Sequence, residues 1–329
     1  MKLTRRGLLP LLGIPALEFL PLSRTAEKPA PEPLRTRLML GGDVMLSRHV
    51  GRLARAHHDP AFPLRDLSPV LQPADIAFVN LESPFSDRGP IVERGMVFKA
   101  EPAMVAALET AGVDVVSTAN NHARDQGARG VEFTLDWLRG HGIAVAGTGK
   151  SEEEAHAGTV LERNGIRFGF LAYTYDQSNG NHADVDGRIA VMDLDRMRED
   201  VVRLATRADA IVVSMHAGRE YSPKPNPQQV AFARAAINAG ASVAVGHHPH
   251  VIQPWEHYGS GVIFYSLGNL VFDQFQRVDT QRGALAEVIF EGPKLVESKL
   301  LSVELVGTAP RLTGESKPFA EVSKRAAAR

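Results

Sequence analysis

The stretch Val243-Ala-Val-Gly-His-His-Pro-His-Val-Ile-Gln253 places three of the chain's twelve histidines directly after a short apolar run. Residues 242–245 have the composition of a buried strand, and Gly246 is expected to let the backbone turn as it leaves the sheet. In open α/β sheets, ligands bind at the carboxyl ends of the strands. The stretch therefore predicts an α/β fold with a functional site at this strand end.

The spacing of the three imidazoles favours a metal site. Residues two apart in an extended chain face the same way, and Pro249 favours an extended residue before it. His248 and His250 are therefore expected to point at one ion, while His247 faces elsewhere. A lone histidine more often caps a loop by hydrogen bonds, but neutral imidazole is the commonest metal ligand and a cluster favours metal or catalytic use.

Strands and helices alternate along the chain from residue 36 onward. Asn164-Gly165 is a strong hairpin signal between the apolar segments 159–163 and 167–175. The late apolar segments 284–290 and 299–306 have no helix between them, which predicts an antiparallel pair completing a second sheet. The other predicted strands are 36–43, 74–82, 113–119, 144–147, 210–215 and 261–264, and the predicted helices are 47–58, 101–112, 127–139, 193–207 and 228–240.

Side chains that can bind metal follow five of the predicted strands. Carboxylate, amide and imidazole donors without sulfur suit Mn, Mg, Fe or Zn rather than copper(I) or an iron–sulfur cluster. A carboxylate shared by two ions about 3.5–4 Å apart gives the two-metal arrangement used in phosphoester cleavage. The strand ends therefore predict a mono- or dinuclear centre. The residues are Asp43, Glu82, Asn121 with His122, His216, and the pair His248 and His250.

Composition excludes several other classes of protein. Of the 329 residues, 44% are apolar and 23% charged, and the net charge of −1 gives no basic footprint for nucleic acid. The absence of cysteine excludes disulfides, thiolate zinc sites and a cysteine nucleophile. The sequence also lacks a Gly-x-Ser-x-Gly elbow, a Gly-x-Gly-x-x-Gly motif and a P-loop. Serine-triad and nucleotide-binding chemistry of these types is therefore not expected.

The first 35 residues predict an export signal and a proline-rich linker. The run Thr4-Arg5-Arg6-Gly7-Leu8-Leu9 resembles a twin-arginine signal, and the apolar stretch 7–17 has signal-peptide length. Prolines and an acid interrupt this stretch, so a membrane span is less expected; a disordered basic tail is the other alternative. The sequence predicts a periplasmic or extracellular protein, with a folded domain over residues 36–310 and a frayed tail over 311–329.

Six motifs carry a family resemblance: Gly42-Asp43-Val-Met-Leu-Ser-Arg48, Asn80-Leu-Glu82-Ser-Pro84, Asn120-Asn-His-Ala-Arg-Asp125-Gln-Gly127, His216-Ala-Gly-Arg-Glu220-Tyr221, Gly246-His-His-Pro-His-Val-Ile-Gln253 and Tyr265-Ser-Leu-Gly-Asn269-Leu-Val-Phe-Asp273. Over roughly residues 36–290 the chain resembles the CapA/PgsA capsule (poly-γ-glutamate) synthesis family, which is similar to the calcineurin-like metallophosphoesterases. The resemblance implies a four-layer α/β/β/α sandwich of metallophosphoesterase type, with strand-end loops forming the site. It also implies a role in making or anchoring capsule polymer outside the cell.

The resemblance implies a role for each residue that matches a motif. Asn121 with His122 matches the Asn-His pair of the metallophosphoesterases. The metallophosphoesterases begin Asp-x-His, whereas Asp43 is followed by Val44-Met45, so one imidazole is missing unless His49 or another group replaces it. Glu82 stands in place of a bridging aspartate. The implied metal ligands are Asp43, Glu82, Asn121, His216, His248 and His250.

Further residues are predicted to contact substrate or to support His122. Asp125 follows His122 by three positions and is expected either to orient its imidazole or to cap the helix that begins at Gly127. The alternatives are an ion pair with an acid for Arg48, orientation of His216 or a structural hydrogen bond for Glu220 and Tyr221, and support of a metal ligand or a turn for Asn269. The predicted substrate-binding residues are Arg48, Glu220, Tyr221 and Asn269.

The predicted function is that of an exported metal-dependent hydrolase in capsule or envelope polymer synthesis. Its substrate is expected to be a phosphoester or an amide of an envelope polymer, with His122 as general acid. The alternative is a non-catalytic subunit of a capsule synthesis and export complex that binds an anionic polymer. Membrane capsule-synthase subunits are the other expected partners.

Overall fold

Several central strands are buried at every position rather than at alternate ones, which shows that both of their faces are covered. The computed structural model describes residues 34–315 apart from 178, 180 and 183. The strands are β1 (Arg35–Val44), β2 (Ile76–Leu81), β3 (Val115–Ser117), β4 (Ala144–Ala146), β5 (Thr159–Arg163), β6 (Ile166–Thr174), β7 (Ala210–His216), β8 (Val243–His247), β9 (Trp255–Tyr258), β10 (Gly261–Phe264), β11 (Asn269–Val271), β12 (Arg282–Glu291), β13 (Lys294–Val306) and β14 (Ala309–Glu315). The α-helices are α1 (Arg48–Ala56), α2 (Ser68–Leu71), α3 (Val105–Ala111), α4 (Gly127–Gly140), α5 (Glu152–His156), α6 (Leu194–Leu204) and α7 (Pro227–Ala239), and 3₁₀ turns span Phe62–Leu67, Pro102–Met104 and Asp279–Gln281.

The described strands form two sheets, each with a parallel centre. The first sheet has the order β14-β13-β12-β1-β2-β3-β4, with β11 also paired to β1. Within it, β1 to β4 run parallel. The second sheet has the order β5-β6-β7-β8-β10-β9, and β6, β7, β8 and β10 run parallel. In each sheet, the loops that follow the parallel strands therefore emerge at the same edge.

Side chains alternate between the two faces of each sheet and build three apolar interfaces in the described part of the chain. In the first sheet Met39 packs toward helices α1, α3 and α4, whereas Leu38 and Leu40 pack toward the second sheet. In the second sheet Val212 faces the first sheet, whereas Ile211 packs toward α6 and α7. The layers are therefore helix, sheet, sheet, helix, which confirms the predicted four-layer α/β/β/α sandwich.

The predicted hairpin between β5 and β6 is confirmed. The two strands pair antiparallel from Thr159 opposite Phe170 to Arg163 opposite Ile166. Asn164 and Gly165 both have positive φ, 52° and 76°, as a two-residue type I′ turn requires.

Gly246 has a different role from the predicted one. Strand β8 continues through it to His247, and its φ lies outside the left-handed region. A Cβ on Gly246 would lie 2.0 Å from the carbonyl oxygen of Tyr265, so the close approach of two backbones requires glycine here. Gly42 is constrained in the same way, because its Cβ would lie 2.0 Å from the carbonyl oxygen of Gly268.

The C-terminal strands extend the first sheet. The predicted antiparallel pair is confirmed as β12 and β13, but β12 pairs with β1, so the pair belongs to the sheet of the first strand. Strand β14 pairs with β13 and carries the fold past the predicted boundary at residue 310. The export signal and most of the linker lie outside the described residues. Within the described part, no helix has the length and apolarity of a membrane span.

Candidate metal centre

The strand ends of both sheets bring the predicted ligands together into two groups. Asp43, Glu82 and His250 form one group, in which the potential ligand atoms lie within 4.8 Å of one another. Glu82, His216 and His248 form the other group within the same limit. Glu82 belongs to both groups, so its carboxylate is the one that would serve two ions if both groups held metal.

The chemistry of these side chains fits divalent metal. Both carboxylate oxygens of Glu82 are buried and find no hydrogen-bond partner among the described residues. Burial, followed by the charge of Asp43, raises the pKa of Glu82 well above its ordinary value. Burial also lowers the pKa of His216 well below its ordinary value and that of His248 to about 3. Neutral imidazole nitrogens can bind a cation, and a bound cation would also provide the partner that the buried carboxylate lacks.

Hydrogen bonds around the ligands fix their orientation. Nδ1 of His250 donates to Oδ1 of Asn269 over 3.0 Å, which leaves Nε2 of His250 3.7 Å from Oε1 of Glu82. Asn269 is fully buried, donates to the Thr280 carbonyl over 2.9 Å and does not line the cavity that opens onto the centre. Asn269 is therefore placed to orient His250, as residues just outside a metal shell commonly are, and it does not line the cavity as a substrate-binding residue would.

Asn80 and Asn121 surround His216. The amide of Asn80 donates to Oδ1 of Asp43 over 2.9 Å and lies 3.3 Å from Nδ1 of His216. Oδ1 of Asn121 lies 2.8 Å from Nε2 of His216, so the two atoms are close enough together to bind the same ion. Asn121 thus stands where the sequence predicted, with the ligand group of His216. Asn80 is an additional residue of the centre, two positions before Glu82 on the same face of the chain.

His122 lies beside the centre and is held by Asp125. Nδ1 of His122 donates to Oδ2 of Asp125 over 2.6 Å, and its ring stacks on Phe98 at 3.8 Å between centroids. Nε2 of His122 lies 3.9 Å from Oε1 of Glu82. In the described structure Gln126, not Asp125, occupies the N-cap position of α4. Of the two predicted alternatives for Asp125, the structure therefore shows the one in which it orients His122.

A cavity of about 260 Å³ opens onto the centre. Its lining includes His122, His250, Arg48, Glu220 and Tyr221, so three of the four residues predicted to bind substrate face it. The guanidinium of Arg48 pairs with the neighbouring carboxylate of Asp273, as the alternative for this residue predicted.

The path of the chain through the histidine cluster differs from the predicted one. His248 and His250 have φ values of 94° and 58°, so the segment is not extended. The backbone N–H of His248 donates to Oδ2 of Asp43 over 3.2 Å, a tertiary contact that overrides the local preference set by Pro249. His247 does not face elsewhere: it is fully buried, with Nδ1 3.4 Å from Oδ1 of Asp43.

Two further residues at the centre escaped the sequence prediction. Asn179, in the loop after β6, donates to the Met96 carbonyl over 2.7 Å and lies 3.3 Å from Nδ1 of His122. The ring of Tyr175 lies 4.7 Å from that of His248, and burial raises the pKa of Tyr175 to about 12. Both residues follow strand β6, and this position after a strand end is the sequence feature that could have marked them as site residues. His49 instead contacts Phe275 edge to ring and does not supply the missing imidazole.

Comparison with known proteins shows the family of the chain. A family model described as bacterial capsule synthesis protein PGA_cap matches residues 37–274. The chain belongs to this family. The matched span contains every residue of the two groups, so the candidate metal centre lies within the part of the chain that matches this family.

Two relatives of this PGA_cap protein are named for capsule or polymer synthesis. Capsule biosynthesis protein CapA of Bacillus anthracis is 32% identical over 286 residues, which cover 81% of this chain and 67% of that protein. PGA biosynthesis protein CapA of Bacillus subtilis (strain 168) is 32% identical over 238 residues, covering 71% of this chain and 62% of that protein. The chain therefore spans about two thirds of the length of the curated relatives it matches.

Solved structures share the fold of the PGA_cap domain at low sequence identity. A novel phosphatase from Mycoplasma pneumoniae aligns with a TM-score of 0.53 and 14% identity, covering 83% of this chain and 94% of that one. A hypothetical protein from Thermus thermophilus aligns with a TM-score of 0.51 and 18% identity, covering 85% of this chain and 100% of that one. The likeness shows the fold alone and confirms the predicted metallophosphoesterase type.

Proposed function

We propose that this PGA_cap protein is a metal-dependent hydrolase that acts, outside the cytoplasm, on an anionic polymer of the capsule or envelope. The observation that carries the proposal is Glu82, a buried carboxylate without a hydrogen-bond donor among the described residues, shared by two ligand groups beside a cavity. Export is proposed from the twin-arginine run at residues 4–9. The polymer is proposed because the relatives named above take part in capsule and PGA biosynthesis.

The residues divide the work of hydrolysis between holding metal and moving a proton. Asp43, Glu82, Asn121 and the three histidines of the two groups would hold divalent ions. Such ions would supply polarisation of the scissile group and activation of a water. His122 then moves a proton: its Nδ1 is tied to Asp125, so Nε2 is the atom that faces the reacting groups and donates to the departing one.

His122 also provides the experiment that separates an enzyme from a binding protein. His122→Ala should keep the metal and lose roughly 10²–10⁴-fold in turnover of a substrate with a poor leaving group, but little with an activated aryl leaving group. His141 is the matched control, because its imidazole also bonds to an acid, Glu109, over 2.7 Å, on the protein surface. Metal content by mass spectrometry and hydrolysis of both substrate types should be measured on wild type, His122→Ala and His141→Ala.

The opposite result would favour the non-catalytic alternative. If the metal-loaded wild type hydrolyses no phosphoester and no glutamyl amide, the hydrolase proposal fails. A loss of polymer affinity of roughly 1.5–3 kcal/mol in His122→Ala, the value of one hydrogen bond to a charged group, would then assign the site to polymer recognition.

A further inference from the structure

Glu220 lies where a third carboxylate meets the metal centre. Its carboxylate forms a ligand group with His248 and His250 in which the atoms lie within 4.8 Å of one another. Unlike the fully buried Glu82, Glu220 is half-buried and lines the cavity. The two histidines therefore have carboxylates both in the interior and on the side from which substrate enters.

The loop that carries Glu220 is fastened to the turn that carries the histidines. The backbone N–H of Tyr221 donates to the carbonyl of Pro249, between the two histidines, over 2.9 Å. The side chain of Gln253 donates to the carbonyl of Ser222 over 2.9 Å. Tyr221 has a φ of 62°, which a bulky residue adopts when its surroundings impose it. These contacts fix Glu220 against the centre.

We propose that Glu220 is a further ligand of the metal centre, and that its charge selects a substrate whose reacting group is a neutral carbonyl, such as an amide, over a phosphate. The choice of substrate class rests on the proposed hydrolase function. The ligand role does not depend on turnover.

The charges around the cavity support this selection. Sites for phosphoryl transfer place arginines or lysines on the phosphate oxygens. Here Arg48 is already paired with Asp273, and Arg94 lies exposed at the rim. A phosphate at the centre would meet the carboxylate of Glu220, and two unit charges about 5 Å apart at a protein surface repel enough to weaken binding roughly a hundredfold. An uncharged amide avoids this repulsion.

Hydrolysis of an amide balances with the groups present. One water is consumed: its oxygen forms the new C–O bond, the C–N bond breaks, and the electron pair of that bond stays on the nitrogen. Nε2 of His122 is placed to donate a proton to that nitrogen, and the proton released by the water restores His122. An amide nitrogen is a poor leaving group without that proton, which agrees with a general acid beside the centre.

The ligand role is tested with Mn²⁺ alone on the full chain. Calorimetric titration at fixed pH should show that Glu220→Gln binds Mn²⁺ at least about tenfold more weakly than wild type, with partial recovery in Glu220→Asp. Glu93→Gln is the control, since Glu93 lies at the rim of the same cavity and pairs with Arg55 over 2.9 Å. Circular dichroism establishes that each variant is folded. Wild-type affinity in folded Glu220→Gln would overturn the assignment as a ligand.

The selection is tested with inorganic phosphate at saturating Mn²⁺. Phosphate should bind Glu220→Gln at least about tenfold more tightly than it binds wild type or Glu93→Gln. The wild type should also cleave a γ-glutamyl anilide faster than an aryl phosphate. The ratio of these two rates should be smaller in Glu220→Gln. Equal affinities of the wild type and Glu220→Gln for phosphate would overturn the proposal that Glu220 selects against phosphate. Faster cleavage of the aryl phosphate than of the anilide by the wild type would overturn it as well. Absence of turnover on both substrates would refute the hydrolase, while the two binding measurements would still decide the role of Glu220.

Discussion

Glu82→Gln is expected to stabilise the metal-free protein and to abolish its stabilisation by metal. Both oxygens of Glu82 are buried without a hydrogen-bond partner in the described structure, next to a second carboxylate, Asp43. A buried unsatisfied group costs about 1–3 kcal/mol, and more when it is charged. Removing the charge should therefore raise the melting temperature of the metal-free protein by roughly 2–12 °C, at about 2–4 °C per kcal/mol.

The pH dependence of this effect has a defined sign. Burial, and then Asp43, raises the pKa of Glu82 in the folded chain well above its ordinary value of 4.5. The folded protein therefore holds this proton more tightly than the unfolded one, and the resulting stability is lost as pH rises from about 4.5 through the folded pKa. The metal-free wild type should lose more stability than Glu82→Gln between about pH 5 and 8.

Bound metal should make the wild type more stable than Glu82→Gln, which reverses their order without metal. At a free Mn²⁺ concentration 100-fold above Kd, the wild type gains about 2.7 kcal/mol, whereas the variant without the shared carboxylate gains little. Thermal unfolding followed by circular dichroism, with chelator and with excess Mn²⁺, measures both effects. Glu287→Gln is the control, because Glu287 pairs with Arg37 and Lys299 and should lose stability whether or not metal is present. Destabilisation of Glu82→Gln in chelator, or a gain with Mn²⁺ as large as that of the wild type, would refute the reasoning.

Three further predictions concern the ligands and the N-terminus. His248→Ala or His250→Ala should lose metal, measured by mass spectrometry, with the circular dichroism spectrum retained; full stoichiometry in both would remove the centre proposed here. His247→Ala should weaken Mn²⁺ binding by about 10–100-fold in a calorimetric titration, as loss of a group that supports a ligand does, and an unchanged affinity would leave His247 a packing residue. Replacing Arg5 and Arg6 together by lysine should retain the protein in the cytoplasm, as judged by fractionation, whereas unchanged export would exclude the twin-arginine route.

Much of the fold was predictable because its central strands are apolar on both faces. Strands β2, β7 and β8 are buried at every position, so their sequences differ clearly from the helices between them. Strand β9 escaped prediction because none of its residues is fully buried, and β14 because its sequence, Ala-Pro-Arg-Leu-Thr-Gly-Glu, has few apolar residues and no clear alternation. Strand β11 has only three residues, so it shows no periodicity to recognise.

Residues of the candidate site were predictable only where a side chain that can bind metal stands at the end of a predicted strand. Asp43, Glu82 and His216 stand at strand ends, and the topology alone brings such residues together. Asn179 lies in a loop, and its contact with His122 depends on a chain path that no local pattern specifies. The predicted direction of the His247 side chain was wrong because it assumed an extended backbone at the residues that follow. In the structure His248 and His250 have positive φ values instead.

The missing imidazole of the first motif has a structural explanation. Met45 occupies the position where metallophosphoesterases have that histidine, and its side chain is buried between the first sheet and its helices. Strand β1 therefore contributes one ligand, Asp43. Support for this carboxylate comes instead from strand β8, through the ring of His247 at 3.4 Å and the backbone N–H of His248 at 3.2 Å. The doubled histidine at the end of β8 thus does two tasks: His248 joins the ligand group of His216, while His247 lies against the aspartate of the other group.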